Sequence, residues 1–328
     1  MAEYIDALSM SWRVARAIRQ EGWSGEVIAV HERSCYLAGD DAEIYAIVQQ
    51  PLGNGPLNLV VPVTPGPLFG GLAPGTPAAS RSSRLFLGDG LEVGMERAVL
   101  WDPKAYCALG ADPDGLRRCL DELYRVAAAQ APERSLARLL PHLHDEDLPK
   151  PLEAVEHFPR SHALIGRLVE SLVRRNRRRL KVVTSSLAGL GPGLTPSGDD
   201  FLAGVLLALA LALEHRPDAE IAEIAGLLLD TAAPRTHEIS AAYLRTARAG
   251  EAGERWHPLL GALSAGDAAG VRAAAGAVLE IGETSGADML AGFVAGMSAI
   301  HGVSPVAWPR APLPTETRPS AETRPPTG

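Results

Sequence analysis

The sequence is poor in cysteine, which limits the kinds of site that it can build. Its three cysteines, Cys35, Cys107 and Cys119, lie far apart and lack the paired spacing of metal centres and redox sites. Isolated cysteines of this type are usually buried as small apolar side chains in proteins of a reducing compartment. The pattern therefore predicts a cytoplasmic protein.

A membrane-length apolar run and an excess of positive charge are also lacking. The longest apolar run, Phe201–Leu213, is shorter than the roughly 20 residues that cross a bilayer, so it predicts a buried core helix. Residues 1–20 interleave charged and apolar side chains, which predicts no signal peptide. The net charge of −8 favours solubility and argues against general nucleic-acid binding.

The first third of the chain carries the signals of β-structure. Short segments rich in β-branched and aromatic residues, broken by turn residues, predict strands at Val27–Val30, Cys35–Leu37, Ile44–Val48, Leu57–Val61, Arg84–Leu87, Leu91–Val93 and Ala98–Trp101. Gly88-Asp89-Gly90 predicts a hairpin turn. Strands at this spacing indicate a small sheet or a partly closed barrel. Residues 62–83 are dense in proline and glycine, which fits a lid or binding loop and a plain surface loop equally well.

The pattern becomes helical after Trp101. Asp112-Pro113 is a typical helix start, and alanine- and leucine-rich helices dominate from about residue 161. Residues 141–159 have the composition of a linker. We therefore expect an α+β protein with a β-rich N-terminal domain (1–102), a helical linker region (103–160), a helical domain (161–303) and a disordered, proline-rich tail (304–328).

A glycine-rich loop, residues 189–200, precedes the longest apolar run and reads Gly-Leu-Gly-Pro-Gly-Leu-Thr-Pro-Ser-Gly-Asp-Asp. Its glycines allow the backbone to approach a ligand, and a helix start favours a bound anion. Thr195 and Ser197 are candidate helix caps. Asp199 and Asp200 could hold Mg²⁺ beside a phosphate or move a proton. A tight turn with ordinary capping is the alternative, and the Gly-Lys-Ser/Thr ending of a P-loop is missing.

The start of that helix is repeated later in the chain. Ser197–Gly204 aligns without gaps to Ser285–Gly292, with six of eight residues identical. We expect the two helix starts to face each other and hold one ligand, with Ser197, Asp200, Ser285 and Asp288 pointing into the pocket. The alternative is that Ser-Gly-x-Asp is simply a good helix start and that Ala-Gly is a close-packing surface.

Three segments, residues 191–202, 236–244 and 282–292, closely resemble the AllH family. The resemblance extends to about residue 302 and is sharp only in the helical half. It implies a subunit of a hetero-oligomeric oxamate carbamoyltransferase, which acts in allantoin and purine catabolism. That enzyme converts oxalurate and phosphate into oxamate and carbamoyl phosphate. The implied partners are an FdrA-like subunit, related to acyl-CoA synthetases, and a third large subunit.

The resemblance assigns no catalytic residues, so the candidates come from the chemistry. Asp200 is preferred to Asp199 because the repeat places Asp288 opposite Asp200 and Ala287 opposite Asp199. The predicted catalytic residues are Asp199, Asp200 and Asp288. The predicted substrate-binding residues are Gly191, Gly193, Thr195, Ser197, Gly198, Thr236, His237, Thr284, Ser285 and Gly286.

Three weaker signals keep their plainer interpretations. His237 fits a base or a phosphate contact, but a capping or surface histidine is favoured. His142, His144 and Asp145 lack a fourth metal ligand and favour a solvated linker, so no further metal is predicted. The basic run 174–181 favours a solvated helix face over a subunit contact. The alternative function is a non-catalytic structural or regulatory subunit with a pocket for a small anionic metabolite.

Overall fold

The computed structural model describes residues 3–20, 22–40, 43–107, 113–143, 145 and 147–302. A curled sheet of ten strands comes first and a large helical region follows, so the predicted α+β class is confirmed. The predicted tail 304–328, the predicted cap Asp112 and His144 lie outside the described residues. How the chain divides into independently folding domains stays a prediction.

The sheet forms a half-barrel whose two edge strands are β1 and β10. Its strand order is β1-β9-β8-β7-β3-β4-β5-β6-β2-β10. The pairs β1–β9, β5–β6 and β2–β10 are parallel, and the others are antiparallel. The strands are β1 (Glu3–Asp6), β2 (Ser9–Ser11), β3 (Ser24–Val30), β4 (Ser34–Gly39), β5 (Ile44–Gln49), β6 (Asn58–Val61), β7 (Pro77–Arg81), β8 (Arg84–Leu87), β9 (Leu91–Gly94) and β10 (Val99–Trp101).

Each predicted strand overlaps an observed one, and the turn at Gly88 joins β8 to β9 with Leu87 opposite Leu91. The sequence missed β1, β2 and β7. The first two are only four and three residues long, which is too short for a clear alternating pattern. Strand β7 ends the predicted loop 62–83. Leu68 and Phe69 of that loop are buried in the core of the sheet, so this part of the loop packs as core.

The helices are α1 (Trp12–Ile18), α2 (Pro113–Gln130), α3 (Lys150–Glu153), α4 (Phe158–Val173), α5 (Arg177–Leu187), α6 (Ser197–His215), α7 (Ala219–Ala232), α8 (Glu238–Arg248), α9 (Trp256–Ser264), α10 (Ala268–Leu279) and α11 (Ser285–His301). Short 3₁₀ turns lie at Gln50–Leu52, Leu136–His142 and Ala233–Arg235. The described part of residues 141–159 packs more closely than a linker would, because Leu143 and Phe158 enter the helical core. Pro159 lies at the start of α4, where proline is tolerated.

Helices α6 and α11 form the centre of the helical region, and α6 is buried along most of its length, as predicted. Gly204 of α6 lies against the carbonyl oxygen of Met289, and Gly292 of α11 lies against that of Phe201. Gly204 and Gly292 occupy one position of the sequence repeat, and Phe201 and Met289 occupy another. The two contacts are therefore equivalent, as a local two-fold axis between the helices requires. No helix in the described part of the chain is long and apolar enough to span a membrane.

Polar and apolar contacts fix the sheet to the helices. Arg13 of α1 donates two hydrogen bonds to the carboxylate of Glu251, at 2.9 and 3.1 Å. Asn54, after β5, donates to Glu254 at 2.6 Å. Ile44 and Leu57 of the sheet pack in one apolar cluster with Ile239 and Ala242 of α8. The sheet and α1 are thereby fixed to α8 and to the segment between α8 and α9.

The α6–α11 crossing predicts the effect of adding a methyl group at its centre. Gly204→Ala and Gly292→Ala would each place a Cβ atom on a backbone carbonyl oxygen of the other helix. We expect each substitution to lower the free energy of unfolding by about 2 kcal/mol or more. Chemical denaturation monitored by circular dichroism measures the change.

Gly226→Ala in α7 is the matched control, because nothing lies within 4 Å of the added atom. It should raise the free energy of unfolding by about 0.5–1 kcal/mol. Equal effects at Gly204 and Gly226 would contradict the close helix contact.

Candidate functional site

A cavity of about 290 Å³ lies between the sheet and the helical region. Its wall is formed by the sheet with the segment between β5 and β6, by the loop before α6 and the start of α6, by the C-terminal half of α8 with the segment that leads into α9, and by the start of α11. Its lining residues are Tyr36, Val48, Leu52, Asn54, Gly55, Pro56, Asn58, Thr195, Asp200, Ala203, Tyr243, Thr246, Ala247, Glu251, Ala252, Gly253, Glu254, Arg255, Trp256, Ile281, Gly282, Ser285, Gly286 and Met289. We call this space the interdomain cavity.

The glycine-rich loop reaches the cavity through a backbone path that other residues would not follow. Gly191 and Gly193 have φ angles of 115° and 98°, a region that residues with a side chain rarely adopt. Gly198 lies against the carbonyl oxygen of Leu187 at the end of α5, where a side chain would not fit. The predicted caps are wrong in detail, because Pro196 is the N-cap of α6 and no side chain caps the helix. Tight loop packing takes the place of a cap.

The two repeated helix starts meet at Thr195. Its Oγ1 lies 3.1 Å from Oγ of Ser285 and donates to Oδ2 of Asp200 at 3.2 Å. Burial raises the pKa of Asp200 well above its usual value, the hydroxyl of Ser285 opposes this, and the charge of Asp288 adds to it. The structure thus holds a carboxyl group, in an environment that favours its protonated form, beside two hydroxyls in the wall of the cavity.

Asp199 has a different environment from its neighbour. Its carboxylate accepts hydrogen bonds from the backbone N–H of Gly189, at 2.9 Å, and from the hydroxyl of Thr236. These bonds close the glycine-rich loop onto the start of α8. Asp199 and Asp200 therefore face different groups of the protein. The described residues contain no cluster of three or more His, Cys, Asp or Glu side chains that could hold a metal ion.

Asp288 is fully buried and does not line the cavity. Its Oδ1 accepts hydrogen bonds from Ser135 Oγ at 2.9 Å and from the N–H of Leu136 at 2.6 Å. Burial raises the pKa of Asp288 to about 6, against the opposing effects of Leu136 and Ser135. Of the four side chains predicted to share one pocket, Asp200 and Ser285 line the cavity, whereas Ser197 and Asp288 do not.

The other predicted binding residues are divided between places. Gly286 lines the interdomain cavity, whereas Gly191, Gly198, Thr236 and Thr284 do not. Gly193 and His237 line a second, more open cavity of about 690 Å³. The predicted set therefore does not form a single ligand shell.

Two of the weaker sequence signals, His142 and the basic run 174–181, have partners within the chain. Nδ1 of His142 lies 2.8 Å from Asp145, in a contact without a third ligand among the described residues. Arg175 of the basic run pairs with Asp218 at 3.1 Å and with Glu220 at 2.6 Å. Since part of the run is engaged in ion pairs with the start of α7, it is more than a solvated face.

Sequence reasoning missed several lining side chains, chiefly Tyr36, Asn54, Asn58, Tyr243 and Arg255. Tyr243 lies inside the 236–244 motif, which is the only signal that could have found it. Arg255 carries the single basic side chain among the described lining residues. Its guanidinium makes long contacts, 3.4 Å each, with the carbonyl oxygens of Pro51 and Ala277. It also pairs with the carboxylate of Glu280 at 3.7 Å.

Two protein-family models match the two parts of the chain that form this site. A family model described as "Oxamate carbamoyltransferase subunit AllH" matches residues 187–297, which include the glycine-rich loop and both helix starts. A second, described as "AllH family N-terminal domain", matches residues 6–100 and so covers most of the sheet. No curated protein and no solved structure matches the chain.

The raised pKa of Asp288 predicts a pH-dependent stability. Its pKa is about 6 in the folded chain, against an ordinary value of 3.8. Its contribution to stability is therefore complete below 3.8 and is lost as the pH rises through 6. Between about pH 5 and about pH 7.5 the loss amounts to about 1 kcal/mol, or about 2 °C in melting temperature.

Asp288→Asn should abolish this loss, because the amide keeps an acceptor for Leu136 and carries no charge. The measurement is the difference in melting temperature between the parent and the variant at the two pH values. Asp230→Asn, on the exposed part of α7, is the control and should follow the parent. A difference between the parent and Asp288→Asn that does not change with pH would mean that Asp288 does not titrate in this range.

Proposed function

The chain belongs to the AllH family, and we propose that its interdomain cavity is the site of carbamoyl transfer in an oxamate carbamoyltransferase. The reaction converts oxalurate and phosphate into oxamate and carbamoyl phosphate. The proposal rests on one observation: a carboxyl group that favours its protonated form, Asp200, lies beside the hydroxyls of Thr195 and Ser285 in the cavity wall. The family description supports a subunit role and leaves the reaction to be tested.

Asp200 supplies the proton that the leaving group needs. A phosphate oxygen attacks the carbamoyl carbon of oxalurate, and the bond from this carbon to the oxamate nitrogen breaks. The nitrogen would leave as a poor amide anion, so it takes the proton of Asp200 as the bond breaks. The proton lost by the attacking hydrogen phosphate returns to Asp200, and the group is ready for another turnover. No covalent intermediate with the protein is needed.

The described lining of the cavity offers one basic side chain and two helix N-termini to a small anion. Arg13 neutralises Glu251 through two hydrogen bonds, and Asp200 is neutral in its protonated form. Glu254 keeps its negative charge, because its partner Asn54 is a neutral amide. The guanidinium of Arg255, which also lies 3.7 Å from the carboxylate of Glu280, is the basic group of the described lining that a carboxylate or a phosphate would contact. The N-termini of α6 and α11 add a favourable potential at the same end of the cavity.

A second candidate function is a regulatory or structural subunit that binds a small anion without turnover. It is favoured because polar groups around the helix starts form hydrogen bonds with one another. The N–H of Gly198 donates to Leu190 at 2.8 Å, and Asp199 is held by Gly189 and Thr236. Under either function, an FdrA-like protein and a third large subunit are the proposed partners.

Substitution of Asp200 tests the catalytic proposal. The parent chain, alone and combined with the two partner subunits, is assayed for phosphate-dependent loss of oxalurate. Asp200→Asn keeps the shape and removes the proton donor, so turnover should fall by about 100-fold or more. The melting temperature should change little.

Asp199→Asn is the matched control on the adjacent residue. Because Asp199 closes the loop, its loss should lower stability by about 1 kcal/mol and affect turnover only mildly. If folded, assembled Asp200→Asn turns over like the parent, Asp200 is not the proton donor. Oxamate binding without turnover in the parent would then favour the regulatory function.

A further inference from the structure

We propose that Tyr36, which comes from the N-terminal sheet, is a substrate-binding residue of the interdomain cavity. Its phenolic hydroxyl donates a hydrogen bond to the carbonyl oxygen of the bound carbamoyl group. The inference rests on the proposed function and deepens it, since it adds a residue that neither the sequence motifs nor the family description assigns.

The fold places Tyr36 at the boundary between the sheet and the helices. Tyr36 lies on β4 opposite Ala46 of β5, and its ring meets His31 edge-on at 6.1 Å between centroids. Tyr243 of α8 packs in the same apolar cluster from the helical side. Both tyrosines line the cavity that contains Asp200. A residue of the sheet thereby lies in the same cavity as the polar side chains at the helix starts.

The hydroxyl of Tyr36 lies near other hydroxyls and lines the cavity. Burial raises the pKa of Tyr36, while the hydroxyls of Tyr243 and Ser34 lower it. Tyr36 in turn raises the pKa of Tyr243. A phenolic hydroxyl can donate one hydrogen bond and accept others. Because Tyr36 lines the cavity, a bound ligand would offer its hydroxyl an acceptor.

A phenol that takes part in a network of hydroxyls is polarised by its neighbours and donates a stronger hydrogen bond. The carbamoyl oxygen gains negative charge when phosphate attacks, and a donor aimed at that oxygen stabilises the transition state more than the ground state. Asp200, Tyr36 and Tyr243 line the same cavity, which places the proton donor and Tyr36 around one small space. Asp200 would serve the leaving nitrogen, and Tyr36 the oxygen.

Tyr243 and Ser34 are positioning residues in this scheme, because they act through the phenol of Tyr36. This assignment makes the sheet a part of the site.

Phenylalanine variants test the inference in the enzyme assembled with its partner subunits. Tyr36→Phe should lower kcat for phosphate-dependent loss of oxalurate by about 100-fold or more, with a small change in KM. Tyr243→Phe should lower kcat by about 10-fold, and the double variant should be no worse than Tyr36→Phe alone. Tyr106→Phe is the control, because this side chain is 73% exposed and lies outside the lining; it should match the parent.

Two outcomes overturn the inference, and they differ in what else they reject. If Tyr36→Phe retains the turnover of the parent while Asp200→Asn is inactive, the role of Tyr36 is wrong and the proposed function stands. If the assembled parent neither turns over oxalurate nor binds oxamate in calorimetry, the proposed function fails, and the inference with it. Should Tyr36→Phe fold poorly, the variants Ser34→Ala and Tyr243→Phe are assayed in its place. A kcat equal to that of the parent in both variants would reject the proposed role of Tyr36.

Discussion

The close approach of α6 and α11 is the constraint on which the rest of the structure depends. Two glycines, Gly204 and Gly292, allow each helix to lie against a backbone carbonyl of the other. Because they lie seven residues beyond Ser197 and Ser285, the same contact brings the two helix starts together. The pKa effects are reciprocal as well: Ser285 lowers the pKa of Asp200, and Ser197 lowers that of Asp288. Packing in the core therefore determines the geometry of the site.

This arrangement brings carboxyl groups into a poorly solvated space. Removing a carboxylate from water is unfavourable, and a second carboxylate nearby makes it more so. Asp288 is compensated by the N–H of Leu136 and the hydroxyl of Ser135, whereas the partners of Asp200 among the described residues are hydroxyls. The group with the weaker compensation is the one that faces the cavity. A carboxyl in that position is more useful as a proton donor than as a fixed charge.

The sequence predicted those features that depend on local pattern. The strand at Arg84–Leu87 and the buried helix after Ser197 follow from alternation, turn residues and a long apolar run. The repeat predicted that Asp200 and Ser285 come together, because internal similarity is visible without a fold. It did not predict that Asp288 points away, because this depends on Ser135, which is 153 residues distant. Tyr36 and Arg255 were missed for the same reason, since their role arises only when the sheet covers the helices.

The local two-fold relation shows how one motif can serve two purposes. Both helix starts present Ser-Gly-x-Asp, yet their surroundings differ. The 3₁₀ turn at Leu136–His142 covers the Asp288 end and uses its carboxylate as an acceptor for backbone and side-chain donors. The sheet covers the Asp200 end without filling it, which leaves the interdomain cavity. The Asp288 end of this symmetric helix pair is thus a structural contact, and the Asp200 end is a candidate reaction site. The difference comes from the segments that cover the two ends, because the motif itself is the same at both.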